Sequence, residues 1–150
     1  MNSDKYIDTL RELVSEGREV NLIVSGHSMT PFLVEKRDRI YFRKPERDLR
    51  RGDMVFYQRD SGQFVMHRIC KVRPEGLYIV GDAQTEIEGP VSRDQIFARV
   101  FKVDRKGGIS APGEFWWDFF EHVWIRLVPV RPLLMKSYGL LSRRENGRKR

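Results

Sequence analysis

Apolar residues at the start of the chain fall on one helical face. Tyr6, Ile7, Leu10, Leu13 and Val14 stand at i, i+1, i+4, i+7 and i+8, the repeat of an amphipathic helix. Ser3 is a candidate N-cap and Gly17 a candidate stop, so a helix over 3–16 is expected. From Val20 the period becomes two: Val20, Leu22 and Val24 alternate with polar residues until the turn-rich stretch SGHSMTP. Short β-type runs follow at RIYF, DMVFYQ, FVMHRICKV, LYIV and QIFARVFKV, separated by Arg-Gly-Asp, Ser-Gly, Pro-Glu-Gly, Gly-Asp and Glu-Gly-Pro. Strands at this spacing with such turns predict a mainly β fold, an antiparallel barrel or sandwich.

The pattern changes again at Lys106. Lys-Gly-Gly and Ala-Pro-Gly read as a linker over 106–113. Beyond it, Glu114, Asp118, Glu121, His122 and Arg126 recur at i, i+4, i+7, i+8 and i+12, opposite an aromatic stripe that includes Phe115, Trp116, Phe119, Phe120 and Trp124. This predicts an amphipathic helix that stops at Pro129, with a second short helix from Pro132. The stripe has two readings. It can cover the open end of the sheet, or it can lie in a membrane interface, where Trp116, Trp117 and Trp124 suit the depth and Arg126, Arg131 and Lys136 reach headgroups. The expected organisation is an N-terminal helix (1–18), a β domain (19–105), the linker (106–113), an amphipathic helical extension (114–142) and a basic tail (143–150).

Composition narrows the function classes. A chain of 150 residues, 40% hydrophobic and 33% charged, suits one globular domain rather than a disordered chain. The lone Cys70 excludes a disulfide framework and a cysteine-based zinc site, and points to a reducing compartment. The net charge is +7, but RRENGRKR at the end holds five bases and one acid, leaving +3 for residues 1–142. That disfavours nucleic acid as the partner, while an anionic membrane surface suits the tail as well as a phosphate backbone does. The opening MNSDKYIDTLREL lacks the basic start and apolar stretch of a signal peptide, and no run of eighteen apolar residues occurs. A cytoplasmic location is expected, with residues 114–150 as the region for peripheral contact at the inner face of an anionic membrane.

Chemistry is concentrated in few places. His27, His67, His122 and Cys70 show no paired ligand spacing, and no phosphate-cradling glycine loop is present, so neither a metal nor a cofactor is expected. Ser28 lies between His27 and Met29 in a turn after a strand, where a hydroxyl can be exposed. Such a hydroxyl is a weak nucleophile and needs a base within reach. His67, in the run Val65–Ile69, is the base best placed by context; from a reference pKa of about 6.5 it is mostly neutral at pH 7. A lysine base would have to come down several units from about 10.4. Asp82, Glu86 and Glu88, all after LYIVGD, are candidates for a third group. Spacing alone favours a plainer reading, with Ser28 satisfying turn backbone and His67 on one face of a strand.

Taken in order, SGHSMTPFL, RRGDMVFYQ, VMHRICKV, LYIVGDA and IFARV resemble the boxes of the signal peptidase I / SOS-repressor superfamily of serine peptidases, over residues 20–105. The resemblance implies a signal-peptidase-like β fold with Ser28 as nucleophile. Most bacterial signal peptidases and the self-cleaving repressors pair that serine with a lysine. Here the aligned position is His67, as in the Ser–His enzymes of the archaeal and endoplasmic-reticulum type. The implied reaction is acyl transfer, with the backbone N–H of Ser28 in the oxyanion hole. Gly26 stands where some relatives carry a second hydroxyl donor. Glu88 lies six positions after Asp82, where Ser–His relatives place an acid, so the third member is Asp82 or Glu88. Signal peptidases carry a hydrophobic anchor before the serine box; this chain has an amphipathic helix there, so a secretory role is not implied. A short branch of the superfamily combines no membrane span, a Ser–His pair and a basic C-terminal extension, and accompanies ribosomally made, modified peptides. The expected function is a serine endopeptidase that cleaves a peptide or protein, with a leader peptide as one candidate substrate. The alternative is a catalytically inactive peptide-binding or regulatory module of the same fold.

Overall fold

In the computed structural model, which describes residues 3–134 and 136, helix α1 runs Ser3–Ser15. It stops where Gly17 adopts φ +86° and the Gly17 and Arg18 N–H groups close back on the Val14 and Leu13 carbonyls, a left-handed cap that only glycine makes without strain. Each run with a period of two becomes a strand: β1 Val20–Ile23, β2 Arg39–Arg43, β3 Met54–Gln58, β4 Phe64–Arg73 and β5 Gly76–Val80. β6 Glu88–Val91, β7 Ile96–Arg105 and β8 Gly108–Ser110 complete the set. They form one antiparallel sheet in the order β1-β2-β7-β3-β4-β5-β6, with β8 beside β7.

The expected barrel or sandwich is therefore corrected to a single open sheet, because β1 and β6 end the pairing order and do not meet. Its apolar residues are instead covered in two cores. One gathers Leu10 and Val14 of α1, Phe42 of β2, Phe56 of β3 and Val100 of β7 beneath the serine-bearing loop. The other joins Val55 and Tyr57 of β3 to Ile69 of β4, Leu77 and Ile79 of β5 and Val91 of β6. Successive strand residues face opposite ways, which is how Val55 and Phe56 serve different cores.

Residues 106–113 are not a linker. Lys106 and Gly107, with φ 54° and 81°, turn the chain so that Gly108–Ser110 pair with Val103–Arg105. The aromatic extension is helical, but not as one α-helix. A single α-turn, α2 Phe115–Asp118, has Glu114 as N-cap, its carboxylate taking the Trp117 N–H. A π-turn over Phe119–Val123 and a 3-10 stretch over Trp124–Val130 follow. Pro129 lies inside that last stretch; having no N–H, it cannot extend an α-helical ladder, and the chain tightens instead.

Trp117, Phe120 and Trp124 enter the first core, and Ile125 and Val128 pack with Val80. The stripe is thus largely a cover for the sheet. Trp117 and Trp124 are buried and Arg131 is 0% exposed, which removes all three from the residues able to meet lipid. Trp116 remains 48% exposed beside Phe115. Residues 131–134 and 136 are helical; the other residues of the second expected helix and the basic tail lie outside the described residues. Among the described residues, no helix is long and apolar enough to cross a membrane.

Candidate active site

Ser28 sits on the loop between β1 and β2, which is anchored from within. Met29, Phe32 and Leu33 point into the first core, at 2%, 0% and 0% exposure. Phe32 stacks near Phe120 and Trp117, with the Arg105 guanidinium 4.7 Å from its ring centroid. The base of the loop is closed by buried Asp38, whose carboxylate accepts from the Val34 N–H at 2.8 Å and from Arg37 at 2.7 Å. Burial opposes ionisation of Asp38, but the Arg37 bonds and charge outweigh it and hold the carboxyl below its ordinary range. At the tip, Gly26 adopts φ +83° and Ser28 is half-buried. Among the described residues the Ser28 N–H meets no acceptor, so it is available to a developing oxyanion.

A second loop, after β5, holds this tip in place. The Ser28 carbonyl accepts the Ala83 N–H at 2.8 Å, and a Cβ on Gly81 would come 2.5 Å from that same carbonyl oxygen. Gly81 is therefore a close-approach glycine. Asp82 turns away from His67. Its carboxylate is paired two-fold with Arg68, at 2.9 and 3.0 Å, and both side chains are almost fully buried. Arg68 also donates to the Gly52 carbonyl at 2.8 Å. The extension fastens the same loop. Trp124 Nε1 donates to the Asp82 carbonyl at 2.8 Å, and Arg131 donates to the carbonyls of Gly81, Gln84 and Trp124.

His67 is on β4, one residue before Arg68, and so faces the other way. It is buried (6% exposed), 6.5 Å from the Tyr57 ring, and opens on a cavity of about 560 Å³ bounded by Arg59 and by residues 83–88. Burial and the Arg59 charge push its pKa down to about 4, against the opposing pull of Glu88. The imidazole is neutral at pH 7. Glu88 itself is gripped by Arg59 at 2.7–3.1 Å. Burial would raise its pKa, but these bonds hold it below the ordinary carboxylate range. The Tyr57 hydroxyl is buried, and burial together with the charge and proximity of Glu88 raises its pKa.

The structure thus brings His67 and Glu88 to one cavity, and ties Ser28 to the loop that walls it. It does not join Ser28 Oγ to His67 by a hydrogen bond. Ser28 opens instead on a neighbouring apolar cleft of about 250 Å³, bordered by Gly26, Met29, Ile7, Phe64 and Met66. Of the acids considered from the sequence, Asp82 belongs to Arg68, Glu86 borders the cavity in an exposed position, and Glu88 exerts its charge on His67. His27 is exposed and faces Glu35 at 3.2 Å. Cys70 donates to the Tyr78 carbonyl at 3.3 Å, and burial raises its pKa, so it is not a thiolate. Asp118, Glu121 and His122 place ligand-type atoms within 4.8 Å of one another. Asp118 already accepts from Gly113 and Glu121 from Trp117 Nε1, and nothing else marks a metal there.

Sequence reasoning missed Arg59, Tyr57, Trp124 and Arg131 as parts of the site. Arg59 lies in a Gln-Arg-Asp-Ser-Gly turn and carries no signal that it meets Glu88, 29 residues on. Comparison with protein-family models, with curated proteins and with solved structures finds no match.

Proposed function

We propose that the protein is a serine endopeptidase of signal-peptidase-like fold, with Ser28 as nucleophile and His67 as base. The observation that carries this reading is the loop after β5. Its Ala83 N–H holds the Ser28 carbonyl at 2.8 Å, and Ala83 through Glu88 line the cavity onto which His67 opens. One loop therefore bonds the residue that the serine box nominates and walls the cavity of the residue that the histidine box nominates. In the reaction, Ser28 Oγ attacks a peptide carbonyl while His67 takes the hydroxyl proton. The Ser28 N–H meets the oxyanion, and His67 returns the proton to the departing amine, leaving an acyl-enzyme. Water then adds to the ester carbon, His67 takes the water's proton, and the freed serine recovers it as the carboxylic acid leaves. Glu88 acts through its charge, favouring the imidazolium that forms, and Arg59 opposes it. The apolar cleft beside Ser28 suits an apolar side chain next to the cleaved bond. A leader peptide is the substrate class that the resemblance favours.

A second reading, an inactive peptide-binding module, is favoured by the open Ser28–His67 contact and by the low proton affinity of His67. The experiment that separates them is digestion of a complex peptide mixture, read as new termini by mass spectrometry. Cleavage by the wild type should vanish in Ser28→Ala and in His67→Ala, and the double variant should be no worse, because the two act as a unit. Activity retained in either single variant overturns the dyad. No new termini from the wild type, with peptides still bound equally by Ser28→Ala, selects the binding module.

A further inference from the structure

A cavity of about 680 Å³ lies on neither Ser28 nor His67. Four cations, Arg11, Lys44, Arg47 and Arg93, border it against one carboxylate, Asp48. Its remaining walls are mostly apolar, with Leu49, Val72, Ile96 and Phe97 among them and Ser15 the one uncharged polar residue. Arg47 is held by Asp53 at 2.9 Å, and Arg11 by Gln58 at 2.7 Å and by Asp8 at 3.8 Å. Lys44 and Arg93 make no ion pair among the described residues, and both are exposed. A groove with an apolar floor and a surplus of positive charge at its rim is complementary to a ligand that carries apolar and acidic groups together.

This groove and the Ser28 cleft are separate cavities that border one face of α1. Ile7 borders the cleft, and Arg11 and Ser15 border the groove. These residues stand at i, i+4 and i+8 of α1, on one helical face. Three side chains in contact link the linings of the two cavities. Arg11 lies 5.8 Å from the centroid of Phe64, which lines the cleft, and Phe64 meets Phe97, which lines the groove, edge to face at 5.9 Å. Eight helical residues advance about 12 Å, the length of about four residues of extended peptide.

We propose that the groove is a second substrate-binding site, which receives an acidic, apolar-containing peptide segment some four residues from the bond presented to Ser28. This rests on the peptidase reading for the role of Ser28, but not for binding. A phosphate backbone would be the competing anion, and it has no use for the apolar floor.

The test measures binding in the full-length Ser28→Ala protein, so that turnover is not required. The probe is a fluorescein-labelled ten-residue peptide of alternating glutamate and leucine, read by fluorescence anisotropy. It should bind more tightly than the lysine–leucine and glutamate–serine counterparts, and more weakly as salt is raised. Lys44→Glu combined with Arg93→Glu should weaken it by roughly tenfold; both positions are exposed, and unchanged thermal melting checks the fold. Equal binding of the three peptides, indifference to the double charge reversal, or stronger competition by oligothymidylate than by unlabelled peptide each overturns the proposal. Cleavage of neutral peptides by the wild type is followed separately. If that persists while the acidic peptide fails to bind, the groove falls and the peptidase reading stands.

Discussion

His67 is the proposed base, and its surroundings change what the sequence implies. An ordinary histidine would give activity rising over roughly pH 6–7. Burial and Arg59 move the pKa to about 4, against the pull of Glu88, so the acid limb of kcat/KM is expected near pH 4, with a plateau through neutrality. Glu88→Gln should move that limb further down and Arg59→Gln should move it up, because one removes the charge that favours the imidazolium and the other the charge that opposes it. Rate profiles and the histidine ring signals in NMR titrations of folded protein check both directions. A limb that stays at pH 6–7 would mean that the burial seen here is not that of the working state. The same shift links to stability. Between about pH 6.5 and pH 4 the unfolded chain binds a proton that the folded one refuses. Stability from this group is therefore complete above pH 6.5 and falls as pH drops through that window, by roughly 3 kcal/mol in all. His67 itself was legible in the sequence as the candidate base. Its proton affinity was not, because Arg59 and Glu88 reach it from distant positions in the chain and only the folded sheet brings them together.

At the level of elements, the strands that follow alternating or β-type apolar runs were readable: β1 to β5 and β7 all occupy the expected runs. β6 and β8 were not, because Glu-Gly-Pro-Val and Gly-Ile-Ser carry turn chemistry, and they become strands only by adding to edges that β5 and β7 offer. The same limit applied to the choice between Asp82 and Glu88. Both follow the fifth strand in sequence, but Arg68 and His67 leave β4 on opposite faces, and each carries one acid with it. Asp82 thus fastens the loop after β5, which in turn holds the Ser28 carbonyl, rather than acting as a partner of the imidazole. Asp82→Asn leaves the buried Arg68 guanidinium without its carboxylate, which costs about 3–5 kcal/mol. For a chain of this size that lowers the melting temperature by roughly 6–20 °C. Circular dichroism melts measure it directly, and a loss below about 1 kcal/mol, the value of an exposed pair, would show that the ion pair does not fasten the loop.

The whole molecule depends on its C-terminal extension more than an appended helix would require. Trp117, Phe120 and Trp124 are part of the core that also buries Phe32 and Met29 beside Ser28. The Trp124 and Arg131 side chains then hold the carbonyls of the loop that positions Ser28. Removing one buried large aromatic side chain typically costs about 3–5 kcal/mol, so losing three approaches the entire ~5–15 kcal/mol that keeps a domain folded. Truncation after Gly113 should therefore abolish cooperative unfolding and expose apolar surface, rather than yield a smaller working domain. Thermal melts and size-exclusion chromatography of the two chains provide the comparison. A truncated chain that melts cooperatively near the full-length temperature would make the extension an appendage and return its aromatic face to other partners. Loss of the folded species would instead tie the serine loop, the loop after β5 and the extension into one cooperative unit. The amphipathic stripe at 114–128 would then serve the site by holding still the backbone on which Ser28 rests.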